Sequence, residues 1–405
     1  MSDFDAGPLR ASEYEAAVAL LAYSFGTDER ARALLDGVPP EQVFTVRRGD
    51  TLAAVGRWET ATACLFGLPV PLAIQGMISA HPAMRRRGLL VPFAERMLGI
   101  LRDQGLVLAG WKTAIPRWWQ GFGWGPCAAV HRWSGLPGEL RPIHDPAAGE
   151  AELAPAVAEL DRLHRTWSAG RFGALLRDGA EWAALLRPGP SDVRRDTALW
   201  RGPDGTAEGY VRYRHTHTGP VGENRYEHLA LVVDELAALT PGAYLGLLGF
   251  LSNHTTAPAF RWDAPVDDPL STVVREPRAL QPRTVVGGRV LRVVDTSRLT
   301  LPAGPGSAAA EGLRLTVADD LGPWNRGPWQ VERDGPVLRL VPVPERESAP
   351  AVRIAALAWG PLVARYLTVE QALLCGLLSV PDTAARERLT ALLPPAPAPY
   401  CPDEW

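Results

Sequence analysis

Apolar residues follow two rhythms in the first third of the chain. From Leu72 to Ile78 they crowd together as in a buried strand, whereas Leu90, Phe93, Met97, Leu98 and Leu101 share one face of a helical repeat. A strand therefore runs into a helix, and the turn between them carries Arg85-Arg86-Arg87-Gly88. Upstream, residues 7 to 35 have helical spacing, with Ser12 and Glu15 as a capping box and a break at Phe25 to Glu29. Residues 42–48 and 51–60 read as strands joined by the turn residues Gly49-Asp50. A further strand spans Leu106 to Thr113.

Pro137, Pro142 and Pro146, with Gly138 and Gly149, interrupt the periodicity and mark a linker. Helical spacing resumes at 151–167 and 178–186. Strands are then predicted at 196–202, 207–215 and 226–233, a helix at 240–252 and a short strand near Phe260. That order repeats the order of the first region. After Pro302 to Gly306 come strands at 313–317, 329–332 and 337–341 and helices at 354–365 and 368–378. The pattern predicts a mixed α/β (α+β) chain in three parts, 1–135, 136–295 and 296–405, in keeping with a length of 405 residues.

Composition narrows the partners. Forty-two basic and 45 acidic residues leave a net charge near −3, so no overall field draws nucleic acid or a membrane surface, and neither is expected as a partner. No apolar run is long enough to span a bilayer and the N-terminus is acidic, so neither a membrane span nor a signal peptide is expected. Cys64, Cys127, Cys375 and Cys401 are scattered, which fits a reducing cytoplasm and argues against zinc. His215 and His217 share one strand face without a third ligand, and Asp267-Asp268 reads as a turn, so no metal site is expected.

The turn at Arg85 to Gly88 has its own chemistry. A helix start offers unpaired N–H groups and partial positive charge, three arginines add to it, and Gly88 lets the backbone approach a ligand. The turn is a candidate anion site.

Arg85-Arg86-Arg87-Gly88-Leu89-Leu90 resembles the coenzyme A pyrophosphate loop of GNAT acetyltransferases, and Trp118-Trp119-Gln120-Gly121-Phe122-Gly123-Trp124-Gly125 resembles the segment that opens their next helix. In the Eis-like branch that segment usually reads Tyr-Gly-Arg-Phe-Gly-Tyr-Gly. Pro265 to Leu270 resembles a late turn of the second domain in that branch. Leu321 to Gly327 and Leu357 to Tyr366 resemble its closing sterol carrier protein-like domain. The resemblance implies two GNAT-like domains, the second without a coenzyme A loop, then a sterol carrier protein-like domain.

It implies acyl transfer from acetyl-CoA, or another acyl-CoA, to an amine-bearing small molecule, and a homo-oligomer, a hexamer in that branch. By position, Arg85, Arg86, Arg87, Gly88, Leu89 and Leu90 would hold the pyrophosphate, and the N–H groups of Ile78, Ser79 and Ala80 would polarise the thioester. The base would be the terminal carboxylate, here of Trp405, beside Glu404. The branch's proton donor is a Tyr, and Trp119 stands in its place; an indole N–H donates a hydrogen bond but is no acid near neutral pH. Lys112 is an alternative donor, and a thiolate with a cysteine-like pKa of about 8.5 can also leave without full protonation. Trp118 and Trp124 would wall an aromatic pocket, while Asp28 and Glu29 would attract a polyamine or aminoglycoside. The Tyr-to-Trp change keeps open a non-acetylating relative that binds or transforms an apolar metabolite, and the third domain a lipid-binding protein.

Overall fold

The computed structural model describes residues 4–144, 148–187, 193–219, 227–286, 288–344, 351–403 and 405. The first region consists of Asp5–Pro8 (β1), Tyr14–Phe25 (α1), Asp28–Leu35 (α2), Val43–Arg48 (β2), Thr51–Leu65 (β3), Leu68–Ala80 (β4), Leu90–Asp103 (α3), Leu108–Lys112 (β5) and Pro116–Gln120 (α4). The strands stand in the order β1-β2-β3-β4-β5 and continue into Arg289–Val293 and Gly125–Pro126. The apolar stripe of α3 is buried, with Phe93, Met97, Leu98 and Leu101 nearly inaccessible against Phe44, Trp58 and Trp111. This burial fixes the helix behind the arginine turn.

Ser12 does not cap α1. A 3-10 turn, Ala11–Glu13, precedes the helix, and Glu13 closes the box by accepting from the Arg10 amide at 2.9 Å. Glu15 instead pairs with Arg32 of α2 at 2.6 Å. Three strands also cross the expected boundaries; one is Phe172–Leu175, which pairs with β3 of the first sheet. Ala129–Gly135 joins the second sheet, between Arg283–Val286 and Ala259–Pro265, while Arg289–Val293 lies in the first sheet beside β5. The two regions thus exchange strands.

The second sheet continues through Leu229–Ala238, Ala207–His217, Arg194–Arg201 and Glu150–Leu153, with Val157–Ser168 and Pro241–Ser252 packed on it. The third region has its own sheet, in the order Thr300–Pro302, Val337–Pro342, Trp329–Asp334, Arg314–Ala318, Val352–Ala355, Leu378–Ser379. Its interior is filled by apolar side chains such as Leu315, Val331, Ile354, Trp359 and Leu362. Among the described residues, no helix is long and apolar enough to cross a membrane.

The chain's last residues return to the first sheet. Trp405 is 4 % exposed, and its indole donates to Gly173 O at 3.1 Å. The ring covers Gly110, where an added Cβ would come within 2.6 Å of Trp405 and 3.0 Å of Val290 O. Gly110→Ala is therefore expected to destabilise the fold by about 1–3 kcal/mol, which a denaturant titration would measure. An unchanged midpoint would show that the tryptophan is not held there.

Candidate functional site

A β-bulge in β4 begins the site. Between Arg57↔Gly76 and Val55↔Ser79 the pairing of β3 with β4 slips by one residue, and Met77 at the bulge has φ of 53°. The opposing residue is Gly56, where a Cβ would press on Ile78 at 3.0 Å and Phe93 at 3.1 Å. The bulge bends the end of β4, and its parallel pairing with β5 stops after three residues, Leu72–Ile74 against Leu108–Gly110. Beyond them the strands part, and part of the main chain of Gly76 to Ala80 is left without a partner on β5.

A cavity of about 800 Å³ opens in this fork. Met77, Ile78, Ser79 and Ala80 line one arm, and Trp111, Lys112, Thr113 and Ile115 the other. Ser79 is fixed from behind: its hydroxyl donates to Leu20 O at 2.8 Å, so Ser24, 2.6 Å away, donates to Ser79.

At one end lies the arginine turn. Arg86 and Gly88 both have positive φ, 63° and 78°, so the chain folds back on itself before α3 begins. Among the described residues no side chain caps α3; the Val91 N–H goes to Gly88 O at 3.3 Å and Pro92 has none, so the Leu90 N–H is what the first turn leaves for a ligand. Arg85, Arg86, Gly88, Leu89 and Leu90 line the cavity and Arg87 does not. Leu89 is buried, its side chain spent on the core. Arg85 donates to Ala80 O at 3.2 Å and lies over the Tyr23 ring.

At the other end the tryptophans divide. Trp119 lines the cavity but is only 5 % exposed, edge-on to Trp111 with ring centres 4.5 Å apart. Trp118 is half-exposed at the rim. Trp124 is fully buried outside the lining, beneath the Arg292 guanidinium, which also donates to Phe122 O and Asp319. Trp124 is thus a support of the wall and not part of it. Trp133 belongs to the core of the second sheet.

Several expected site residues lie elsewhere. Asp28 and Glu29 are exposed in the first turn of α2, where acidic side chains suit the positive helix end, and they do not line the cavity. Trp405 also lies outside the lining; its main-chain oxygen accepts from Arg289 Nε at 3.0 Å, and Arg289 is the cross-strand neighbour of Lys112. Glu404 is outside the described residues. Ser24, Met77, Arg117 and Phe122 line the cavity without having been singled out as pocket residues. The bulge that turns Met77 inward has no signature in residue type.

Asp267 and Asp268 act as turn residues. Asp268 accepts from Leu270 N and the Tyr244 hydroxyl, and Asp267 from Arg171 and Ala398 N. Among the described residues, no group of three potential ligands is placed to hold a metal.

A buried charge cluster holds the tail. Asp403 accepts from Arg177 and from Leu175 N, and its carbonyl accepts from Arg289. Arg177 also pairs with Glu235 at 3.0 Å, as do Arg212 at 2.9 Å and His164 Nδ1 at 3.0 Å. Burial by itself would raise the Glu235 carboxyl, but Arg177, His164 and Arg212 together hold it well below the usual range.

Comparison with known proteins agrees with this architecture. Residues 5–127 and 173–293 each match a model described as an acetyltransferase (GNAT) domain, and 298–402 match a sterol carrier protein domain. An uncharacterized N-acetyltransferase of Streptomyces avermitilis is 28 % identical over 286 residues, 66 % of either chain. One of Streptomyces coelicolor is 29 % identical over 313 residues, 69 % of this chain and 73 % of the other. Among solved structures, a GCN5-related N-acetyltransferase from Anabaena variabilis superposes with a TM-score of 0.79 at 17 % identity, covering 99 % of this chain and 100 % of the other. Eis1 from Mycobacterium abscessus superposes at 0.73 and 21 %, with the same coverage, and shares the fold. The chain therefore belongs to the GNAT acetyltransferases, a family of acyl-transfer enzymes, in the Eis-like arrangement of two GNAT domains closed by a sterol carrier protein domain.

Proposed function

We propose that the chain transfers an acyl group from acetyl-CoA, or another acyl-CoA, to an amine-bearing small molecule held in the fork between β4 and β5. The observation that carries this reading is the parting of the two strands beyond Ile74 and Gly110, with the arginine turn at one end and an aromatic wall at the other. The residues suit the co-substrate. Arg85, Arg86, Gly88 and the start of α3 offer cationic and N–H donors to phosphate. The main chain of Ile78 to Ala80 pairs with β3 on one side, and its groups on the side of the parted β5 would offer donors to a carbonyl. Bound acyl-CoA would supply the acyl group and a thiol leaving group.

Trp119 serves as wall and not as acid, because an indole does not give up its proton near neutral pH. A thiol with a pKa of about 8.5 needs little assistance to leave. Lys112, at the end of β5, places an ammonium at the cavity edge. Trp405 serves as an anchor, its indole donating to Gly173 O and its main-chain oxygen accepting from Arg289.

Amide hydrogen exchange tests the reading. Acetyl-CoA is expected to slow exchange at 76–80 and 86–91 and to leave the third region unchanged. Protection confined to other segments would favour the rival, an apolar-metabolite binder that does not use coenzyme A.

A further inference from the structure

We propose that the acceptor is an aromatic amine bearing a carboxylate, of the aminobenzoate type, and not a polycation; this rests on the acyl-CoA reading above. The acceptor end of the fork is apolar and aromatic, lined by Met77, Trp111, Trp118, Trp119 and Phe122. Trp111 and Trp119 are nearly buried, packed edge to face, with Phe122 tilted against Trp119 at 6.2 Å between centres, so the surface left for stacking an aromatic body is that of Trp118, 48 % exposed, and Phe122.

The charge at this end is positive. Lys112 and Arg117 line it, and among the described residues neither is ion-paired, in a chain where arginines such as Arg32, Arg47, Arg132 and Arg201 are held by carboxylates. Among the described lining residues none is an Asp or Glu. A polycation would enter against this field, whereas a carboxylate would be drawn in and could bind the Arg117 guanidinium through two parallel hydrogen bonds.

The nucleophile points the same way. An alkylamine with a pKa of about 10.4 is an ammonium at neutral pH and must first give a proton to a base. The lone pair of an arylamine is delocalised into its ring and stays unprotonated, so it attacks without a carboxylate or tyrosine on the wall. The nitrogen forms its bond to the acyl carbon, the carbon–sulfur bond breaks, and the proton lost by nitrogen balances the one gained by sulfur.

The test uses the full chain with saturating acetyl-CoA, following thiol release with para-aminobenzoate, para-toluidine, spermidine and kanamycin. Para-aminobenzoate is expected to exceed para-toluidine in kcat/KM by about tenfold, one charge-assisted contact, and to exceed both polycations. A second readout is calorimetric titration of para-aminobenzoate into the protein saturated with coenzyme A. Lys112→Gln with Arg117→Gln is expected to weaken that binding about tenfold. Preference for spermidine or kanamycin, equal rates for para-toluidine, or no binding of para-aminobenzoate would overturn the proposal. If acetyl-CoA itself fails to bind, the acyl-transfer reading falls with it; if acetyl-CoA binds and para-aminobenzoate does not, only the acceptor class falls.

Discussion

Glu235→Ala is expected to destabilise the fold by about 3–5 kcal/mol, the cost of stranding buried charge. Glu235 is inaccessible and accepts from Arg212 at 2.9 Å, from His164 at 3.0 Å and from the Tyr210 hydroxyl at 2.6 Å. Its removal leaves Arg177, 2 % exposed, with Asp403 as its one remaining carboxylate among the described residues. Arg177 is burdened by burial, and it is Glu235 and Asp403 that raise its pKa above the ordinary value. The measurement is the shift in a urea unfolding curve, followed through tryptophan fluorescence. A double-mutant cycle with Arg177→Met separates the pair from its surroundings. Because Asp403 shares Arg177, the variant is also expected to loosen the tail before the second sheet melts, seen as faster hydrogen exchange at 172–175. A loss below about 1 kcal/mol, the level of an exposed pair, would mean that the cluster is hydrated and does not hold the tail.

The second large effect concerns the arginine turn. Arg85→Ala with Arg86→Ala is expected to weaken acetyl-CoA binding about 100-fold, because each lost hydrogen bond to a charged group is worth about 1.5–3 kcal/mol when desolvated and less at an exposed site. Both side chains are exposed, so the effect should shrink as salt is raised. Arg87→Ala, outside the lining, is expected to change binding less than threefold, about the contribution of one distant screened charge. Equal effects at all three positions would show that general positive charge, and not the geometry of the turn, attracts the ligand.

Local patterns carried much of this fold. The apolar density of Leu72 to Ile78 and the helical stripe from Leu90 to Leu101 place the arginine turn correctly, because both depend on neighbours close in sequence. The exchange of Ala129–Gly135 and Arg289–Val293 between sheets was not legible, since those strands pair with partners more than a hundred residues away. The same reason hid the Glu235 cluster, whose members Glu235 and His164 are 71 residues apart.

In the site, residue type was informative and orientation was not. The Trp-rich segment after β5 does form a wall, but Trp119 lines the cavity while Trp124 supports it from below. Asp28 and Glu29 suit a helix start as well as a cation pocket, and the helix start claimed them. The resemblance named Trp405 for its carboxylate, whereas its ring is what is buried, against Gly110. Which direction its oxygen faces depends on Arg289, a residue of no distinctive context in the sequence.

The most direct measurement is calorimetric titration of acetyl-CoA into the unmodified protein at low salt. An acyl-CoA site in the fork between β4 and β5 predicts saturable binding of one molecule per chain with a micromolar Kd. Absence of binding at millimolar acetyl-CoA would contradict it.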